Sequence, residues 1–266
     1  MRLPSLPQSV LLSLLLSFFA AAPGVFASAE HWQNKRYIEE SFYDIAMRGE
    51  FENIRPVIRK WHQPLRIWIS STAGDAAQQR WMLSMHFLHI GQIAGLPVEF
   101  VPHREQANVR VFFASDREFS EVVTREMSAT AAQQVDHSVC LGQIRFNRWA
   151  AITRGTVVIP VERALAEGKL IPCVVEEMTQ MLGLINDSQH VYPTVFSDVT
   201  DDEQLTGLDY VLLKLLYSPQ LRSGMTYKQA APVIRRQLAI WEREGLFARA
   251  PQFSASNPLY ALTAAE

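Results

Sequence analysis

Residues 171–187 (IPCVVEEMTQMLGLIND) constrain the fold more than any other stretch of this chain of 266 residues. Pro172 suits the first position of a helix and Gly183 suits the residue just past its end, so the stretch predicts one short helix. One arc of this helix is apolar, which predicts a face that packs on a protein core. The opposite, mostly polar arc carries Cys173, Glu176, Glu177, Gln180 and Leu184.

Two adjacent carboxylates and an amide occupy positions i, i+1 and i+4 of this helix, which is the spacing of the H-E-x-x-H zinc helix. In full, Glu176-Glu177-x-x-Gln180-x-x-Gly183-x-x-Asn186 resembles the metzincin metalloprotease motif H-E-x-x-H-x-x-G-x-x-H. The resemblance implies that Glu177 stands at the general base and Gly183 at the turn glycine. Glu176, Gln180 and Asn186 then stand where three histidines bind zinc in that family.

A longer run over residues 173–187, C-x-x-E-E-x-T-Q-x-L-G-x-x-N-D, resembles an uncharacterised family of exported bacterial proteins, a domain of unknown function. The resemblance covers most of the chain after residue 60 and implies no established activity. Function therefore has to be argued from the residues themselves.

The donor set at the three ligand positions argues against zinc. Zinc sites usually include a nitrogen or sulfur ligand, whereas these positions offer one carboxylate and two amides, so we expect no cofactor and no zinc. Oxygen donors suit Ca²⁺, Mg²⁺ or Mn²⁺ better, and Asp187 or His190 could complete such a site, which leaves a non-zinc metal open. His86 and His89 also have a spacing that could hold a metal, but such pairs are more often surface or half-buried histidines.

The rest of the chain supplies the elements that a sheet-backed fold needs. Asp75 suits the cap of a long helix over residues 76–94 with Gly95 at its end. The predicted fold class is α+β: a zincin-like (metzincin-type) mixed sheet, a long backing helix, an active-site-type helix and a helical C-terminal part. In zincins the edge strand of the sheet borders the cleft. The apolar stripe of the long helix holds Trp81, Met82, Met85, Leu88 and Ile93, and strands are predicted at residues 65–69, 98–101, 109–113, 144–146 and 156–159.

Capping patterns place further elements after the Glu-Glu helix. Thr206-x-x-Asp209 and Thr226-x-x-Gln229 resemble capping boxes and predict two more helices. The intervening residues 186–198 predict a loop, in which Phe196 stands near the position of the methionine turn that lies under the metal in metzincins.

The start of the chain predicts export. An apolar run and the small-x-small pattern at Ala27 and Ala29 indicate a signal peptide over residues 1–29, and no later segment is long enough to span a membrane. An oxidising compartment favours a disulfide between Cys140 and Cys173, with two buried thiols as the alternative. The predicted units are the signal peptide, an N-terminal helical extension over residues 30–60, a zincin-like domain over residues 61–250 and a flexible tail over residues 251–266.

Composition excludes two classes of protein. The formal net charge of −2 argues against a nucleic-acid partner, and 48% hydrophobic residues exclude intrinsic disorder for the bulk of the chain. The six tryptophans are expected in the core.

Three hypotheses for function remain. The first is an exported zincin-like protein whose zinc motif has degenerated and which binds a peptide or protein in the former active-site cleft. The second is a hydrolase that uses Glu177 as general acid or base, with or without a non-zinc metal, because two neighbouring carboxylates repel each other and perturb their protonation. The third is a structural partner in a cell-envelope complex, docking through residues 30–60. A solvated pair of glutamates on a helix surface is the alternative to all catalytic roles.

Overall fold

A computed structural model describes residues 30–49, 54–197 and 202–263 of the chain. The predicted signal peptide, residues 1–29, lies outside the described residues. The chain forms a mixed α/β structure in which one sheet separates two unequal groups of helices. The strands are β1 (Lys60–Trp61), β2 (Leu65–Ser71), β3 (Val98–Phe100), β4 (Val109–Ala114), β5 (Leu141–Phe146) and β6 (Ala151–Pro160). The helices are α1 (Lys35–Met47), α2 (Ala76–Ala94), α3 (Asp116–Glu126), α4 (Ala129–Ala132), α5 (Val161–Ala166), α6 (Leu170–Gln180), α7 (Gly207–Leu216), α8 (Tyr227–Arg243), α9 (Leu246–Ser254) and α10 (Tyr260–Thr263).

The sheet is mixed, as predicted. Five strands follow the order β1-β6-β4-β2-β3, and the sixth, β5, also pairs with β6. All pairings of the sheet are parallel except that between β5 and β6, which is antiparallel. Strand β5 pairs only with β6 among the residues described. It is therefore an antiparallel edge strand on an otherwise parallel sheet, a common arrangement in mixed sheets.

Two hydrophobic cores lie on the two faces of the sheet. The smaller core lies under α3 and α4, where Phe119 and Val123 contact Phe112, Leu141 and Val158 of the strands. The larger core lies on the other face and includes the apolar arc of α6 together with α1, α2, α7 and α8. The predicted apolar arc is confirmed, because Val174, Val175, Met178, Met181 and Leu182 are all buried in this core.

Helix α2 has the predicted bounds but not the predicted stripe. The Asp75 carboxylate accepts hydrogen bonds from the backbone N–H groups of Ala77 and Gln78, and Gly95 ends the helix in the left-handed conformation. Trp81 and Leu88 were predicted to face the core but are exposed. One polar residue of the buried arc, His86, hydrogen-bonds to Thr179 of α6 and to Asn257 near the C-terminus. The buried arc of α2 is Gln79, Met82, Leu83, His86, Phe87, His89, Ile90, Gly91 and Ala94.

The two ends of the described chain pack into the main structure. Helix α1 contributes Ile38, Phe42 and Ile45 to the larger core and contacts α7 and α8. The sequence predicts a flexible tail from residue 251, whereas α9 continues to Ser254 and Leu259 is fully buried. No helix in the described ranges combines the length and apolarity needed to cross a bilayer.

Helix α6 begins two residues before the predicted start, and its far end is fixed by two aromatic hydrogen bonds. The Trp61 indole N–H donates to the Met181 carbonyl at 2.7 Å, and the Tyr217 hydroxyl donates to the Leu182 carbonyl at 2.8 Å. Gly183 adopts φ +112°, where a side chain would strike the Arg59 backbone. At the other end, Cys173 is bonded to Cys140, so the predicted disulfide is confirmed and ties the residue before β5 to α6.

Candidate functional site

The polar arc of α6 lines a cavity of about 480 Å³ between α6, the segment before β5 and the loop after α6. We call it the acidic cavity, because its wall contains six carboxylates and one lysine. That lysine, Lys169, is paired with Glu203 at 3.1 Å. The carboxylates are those of Glu167, Glu176, Glu177, Asp187, Asp202 and Glu203.

Glu177, the candidate catalytic residue, lies under the edge strand. It is only 6% exposed, whereas its neighbour Glu176 is partly exposed. Strand β5 passes close above it at Gly142, where an added Cβ would collide with the Glu177 carboxylate and lie 2.9 Å from Met181 Cε. Position 142 therefore has to be glycine for β5 to lie this close to α6. The Glu-Glu pair is not a solvated pair, since one member is buried beneath the sheet edge.

The two amides at the positions that the metzincin resemblance aligns with zinc ligands support the loop after α6. Gln180 Nε2 donates to Asp187 Oδ1 at 2.7 Å, and Asn186 Nδ2 donates to the Asp187 carbonyl at 2.9 Å. The Asn186 backbone N–H donates to the Ile45 carbonyl at 3.1 Å, which joins this loop to α1. The structure therefore brings Glu176, Glu177, Gln180 and Asp187 to the acidic cavity, whereas Asn186 is buried outside its lining.

This donor set does not fit zinc. The described part of the chain contains no group of three or more His, Cys, Asp or Glu side chains arranged to hold a metal ion. His190 is exposed and outside the lining of the acidic cavity. The amides of Gln180 and Asn186 carry hydrogen bonds within the protein, and amide oxygens are poor zinc ligands.

The loop between α6 and α7 is fixed by one fully buried carboxylate. Asp209 Oδ2 accepts hydrogen bonds from the Thr206 backbone N–H at 2.8 Å and from the Val195 backbone N–H at 3.2 Å. Burial raises the pKa of Asp209 to about 6, an effect that these hydrogen bonds oppose. Val195 also lines the acidic cavity, so the predicted capping box at Thr206 positions one wall of the site. Phe196 is fully buried beside it.

His86 and His89 are buried rather than at the surface, in contrast to the prediction. The Thr179 hydroxyl of α6 donates to the Val175 carbonyl at 2.6 Å, so its oxygen is left to accept from His86 Nε2 at 3.0 Å. His86 Nδ1 then accepts from Asn257 Nδ2 at 2.9 Å. Burial is the main cause that lowers the pKa of His86 to about 3, with a smaller contribution from the neighbouring His89. The histidine is thus a neutral link between α2, α6 and the C-terminal segment.

A second cavity, of about 460 Å³, runs along β5 and is mostly apolar. We call it the β5 groove. Its floor and walls come from Leu141–Phe146, from Met181 and Ile185 after α6, and from Thr130 and Ala131 of α4. It shares Leu141, Gly142 and Gln180 with the acidic cavity, so the two cavities are adjacent.

Comparison with known families identifies the family to which the chain belongs. A family described as "Protein of unknown function (DUF2927)" matches residues 35–236. The chain belongs to the DUF2927 family. No curated protein and no solved structure matches it. The DUF2927 match includes α1, α6 and all six strands, so the acidic cavity and the β5 groove both lie within the family region.

Sequence reasoning missed the part of this DUF2927 site that comes from β5. The strand was predicted from residue 144, whereas it begins at Leu141 and contains Gly142. A glycine inside a strand lowers its apparent strand propensity, but it also marks close approach of another group. Gly142 was thus the available indication that a side chain, that of Glu177, lies against the strand.

Proposed function

We propose that this protein is an exported, zincin-like peptide-binding protein whose β5 groove holds an extended peptide or an extended segment of another protein. The observation that carries the proposal is the position of the edge strand. The outer edge of β5 borders an elongated apolar groove and pairs with no other strand in the described chain.

Strand addition is the binding mode that this geometry favours. An extended peptide can pair its backbone with an exposed sheet edge, while pockets beside the edge receive alternate side chains. Natural proteins usually protect such edges, so an edge that is unpaired in the described chain and borders an apolar groove favours a ligand. Side chains of β5 alternate accordingly: Gly142 and Ile144 face the larger core, whereas Gln143 bonds to Ser128 on the opposite face.

Two features support the zincin-like part of the proposal. The antiparallel edge strand β5 lies along α6, which is the arrangement that the metzincin resemblance implies for the cleft. The candidate base Glu177 lies beside Gly142, a residue that lines both cavities, whereas the donors at the ligand positions do not fit zinc. A cleft that has kept its shape without its metal ligands is suited to binding. The disulfide is compatible with an oxidising compartment and hence with export.

The groove proposal is tested with peptides. Peptides of about eight residues, long enough to cover β5 at about 3.3 Å per residue, would be selected on the mature protein from a random displayed library. N-methylation at successive positions of a selected peptide should abolish binding at every second residue, because alternate N–H groups face the strand. Ile185→Lys should weaken binding, whereas Leu165→Lys, on the exposed surface of α5, should not. Selection of no peptide, or binding that tolerates every N-methyl group, would refute the proposal.

A hydrolase is the second candidate, and the position of Glu177 favours it. Its carboxylate lies beside Gly142, at the point where the acidic cavity and the β5 groove meet. A peptide held in the groove would pass close to this carboxylate. Glu177→Gln should then abolish turnover of a bound peptide without weakening its binding. If the parent leaves every bound peptide intact during prolonged incubation, this candidate is wrong.

The third hypothesis, docking of a partner through residues 30–60, receives no support from helix α1. Its apolar side chains are buried in the larger core. A partner lost on deleting these residues would therefore be difficult to distinguish from loss of the fold.

A further inference from the structure

A third cavity, of about 490 Å³, continues the β5 groove around the hairpin that joins β5 to β6. It shares Ile54 and Phe146 with the groove. Among the described residues its wall contains three arginines and no carboxylate, and we call it the arginine pocket. The residues that characterise it are Arg55, Arg59, Phe146, Arg148 and Trp149.

Arg59 is a buried cation that forms no ion pair with any acidic side chain in residues 30–49, 54–197 and 202–263. Its side chain is 1% exposed, and two of its nitrogens donate to the backbone carbonyls of Val57 and Arg55. Its Nε has no hydrogen-bond partner. Among the described residues no ion pair joins Arg55, Arg59 or Arg148 to an acidic side chain. Because an arginine side chain keeps its charge, a buried guanidinium of this kind is costly unless an anion completes the site.

The aromatic wall of the pocket is exposed and rigidly held. Trp149 is 63% exposed, with the Arg148 guanidinium 4.0 Å from its ring centroid, and Phe146 covers the Arg59 guanidinium at 4.7 Å. Asn147 closes the hairpin, since its Oδ1 accepts from the backbone N–H groups of Trp149 and Ala151 at 3.0 and 3.1 Å. Ala150 adopts φ +62°, a strained conformation for a residue with a side chain. Strain of this kind concentrates at binding sites, and an exposed tryptophan beside arginine has the composition of a binding hot spot.

We propose that the arginine pocket binds a carboxylate group that is flanked by apolar atoms, and that this carboxylate belongs to an acidic residue of the peptide in the β5 groove. The second part rests on the proposed function. The pocket adjoins the groove at Ile54 and Phe146, at the end of β5, so a peptide that follows β5 to its end would come next to the arginines. Charge complementarity fixes the partner: three cations and two aromatic rings suit an acidic side chain or terminal carboxylate next to an apolar residue.

The pocket is tested first without any peptide. Sodium benzoate is an aromatic carboxylate, and benzamide is its uncharged counterpart of nearly equal shape. Titration of the mature protein is followed by the indole N–H resonances, with that of Trp149 assigned from Trp149→Phe. We expect benzoate, but neither benzamide nor inorganic phosphate, to shift the Trp149 resonance at millimolar concentration. Equal effects of benzoate and benzamide, tighter binding of phosphate, or no shift would each overturn the carboxylate site.

Variants assign the effect to the pocket. Arg55→Gln and Arg148→Gln each change an exposed residue and should weaken benzoate binding about tenfold or more, the loss expected for one charge-assisted hydrogen bond. Arg80→Gln is the matched control, because it removes the same charge from the exposed surface of α2 and should leave binding unchanged. An equal loss in all three variants would indicate a general charge effect and contradict the proposal.

Peptides then test the source of the carboxylate. A peptide selected on the groove, carrying glutamate near the end that meets Trp149, should bind about tenfold tighter than the same peptide with glutamine. This difference should disappear in Arg148→Gln. If the two peptides bind equally while benzoate still binds, the peptide is not the source and this inference is wrong, although the groove proposal survives. If no peptide binds but benzoate does, the proposed function fails while the carboxylate site stands.

Discussion

His86 should make the free energy of unfolding depend on pH, because the folded protein keeps this histidine neutral. Thr179 accepts from its Nε2 and Asn257 donates to its Nδ1, so the folded network has no acceptor for a second ring proton. Its pKa falls from 6.5 to about 3 on folding. The unfolded chain therefore binds a proton below pH 6.5 that the folded chain does not bind until about pH 3. The stabilising contribution of neutral His86 is present above pH 6.5 and is lost as the pH falls below that value.

The size of the effect follows from the two pKa values. One group protonated only in the unfolded chain changes the free energy of unfolding by up to about 1.4 kcal/mol per pH unit. Integration between pH 7 and pH 5 gives a loss of about 2 kcal/mol for His86. His89 changes the free energy of unfolding with pH in the same direction, because burial also lowers its pKa. Asp209 changes the free energy of unfolding in the opposite direction, because its raised pKa favours the folded state as the pH falls below about 6.

A difference measurement isolates His86 from these other groups. His86→Gln has no titrating ring, so urea unfolding of parent and variant at pH 7 and pH 5 compares two proteins that share Asp209. We expect the variant to be destabilised at pH 7 by about 1 to 3 kcal/mol through its imperfect hydrogen bonds, and this deficit to shrink by about 2 kcal/mol at pH 5. His103→Gln, on an exposed residue, is the control. A deficit equal at both pH values would refute the reasoning.

Four further predictions concern the site and its supports. Removing the disulfide with Cys140→Ala and Cys173→Ala should cost roughly 2 to 5 kcal/mol, measured by urea unfolding; an unchanged midpoint would contradict this. Gly142→Ala should lower the free energy of unfolding by about 1 to 3 kcal/mol, because the new Cβ meets the Glu177 carboxylate. Adding Glu177→Ala to this variant should restore most of the lost stability, and purely additive effects of the two substitutions would count against the contact. The parent should lose up to about 3 kcal/mol of stability through Asp209 as the pH rises from 4 to 7, because the pKa of Asp209 is raised to about 6. Asp209→Asn should not show this loss, and an identical pH dependence in parent and variant would disprove the prediction. Elemental analysis of the purified mature protein should find no stoichiometric zinc, and about one tightly held zinc per chain would overturn the donor-set argument.

Local sequence was sufficient for elements whose ends are fixed by their own residues. Asp75 and Gly95 define the two ends of α2, and the capping boxes at Thr206 and Thr226 define the starts of α7 and α8. These ends are set by side-chain hydrogen bonds to nearby N–H groups or by a left-handed glycine, so no distant contact is needed to place them.

Burial of polar residues was not available from local sequence. Periodicity placed Trp81 in the core, and His86 was expected to be a surface or half-buried residue, because hydrophobicity alone ranks them so. The structure reverses both, since His86 finds partners on Thr179 and Asn257, which are far from it in the chain. The same contact explains why residues after 251 are packed. Their anchor, Asn257, donates to a histidine on α2 that no sequence window connects to it.

The hydrogen bonds of Gln180 and Asn186 explain how the site keeps its shape with amides in place of zinc ligands. In a metal site the ion would hold α6 and the following loop together, and a histidine at each position would contribute one ligand bond. Here the Gln180 and Asn186 side chains both donate to Asp187, and the Asn186 backbone N–H reaches α1, so the loop is held by the protein itself. The wall of the acidic cavity is thereby preorganised without an ion. This favours the binding hypothesis over metal-dependent hydrolysis, because the Gln180 and Asn186 side chains are engaged in hydrogen bonds that hold the loop after α6.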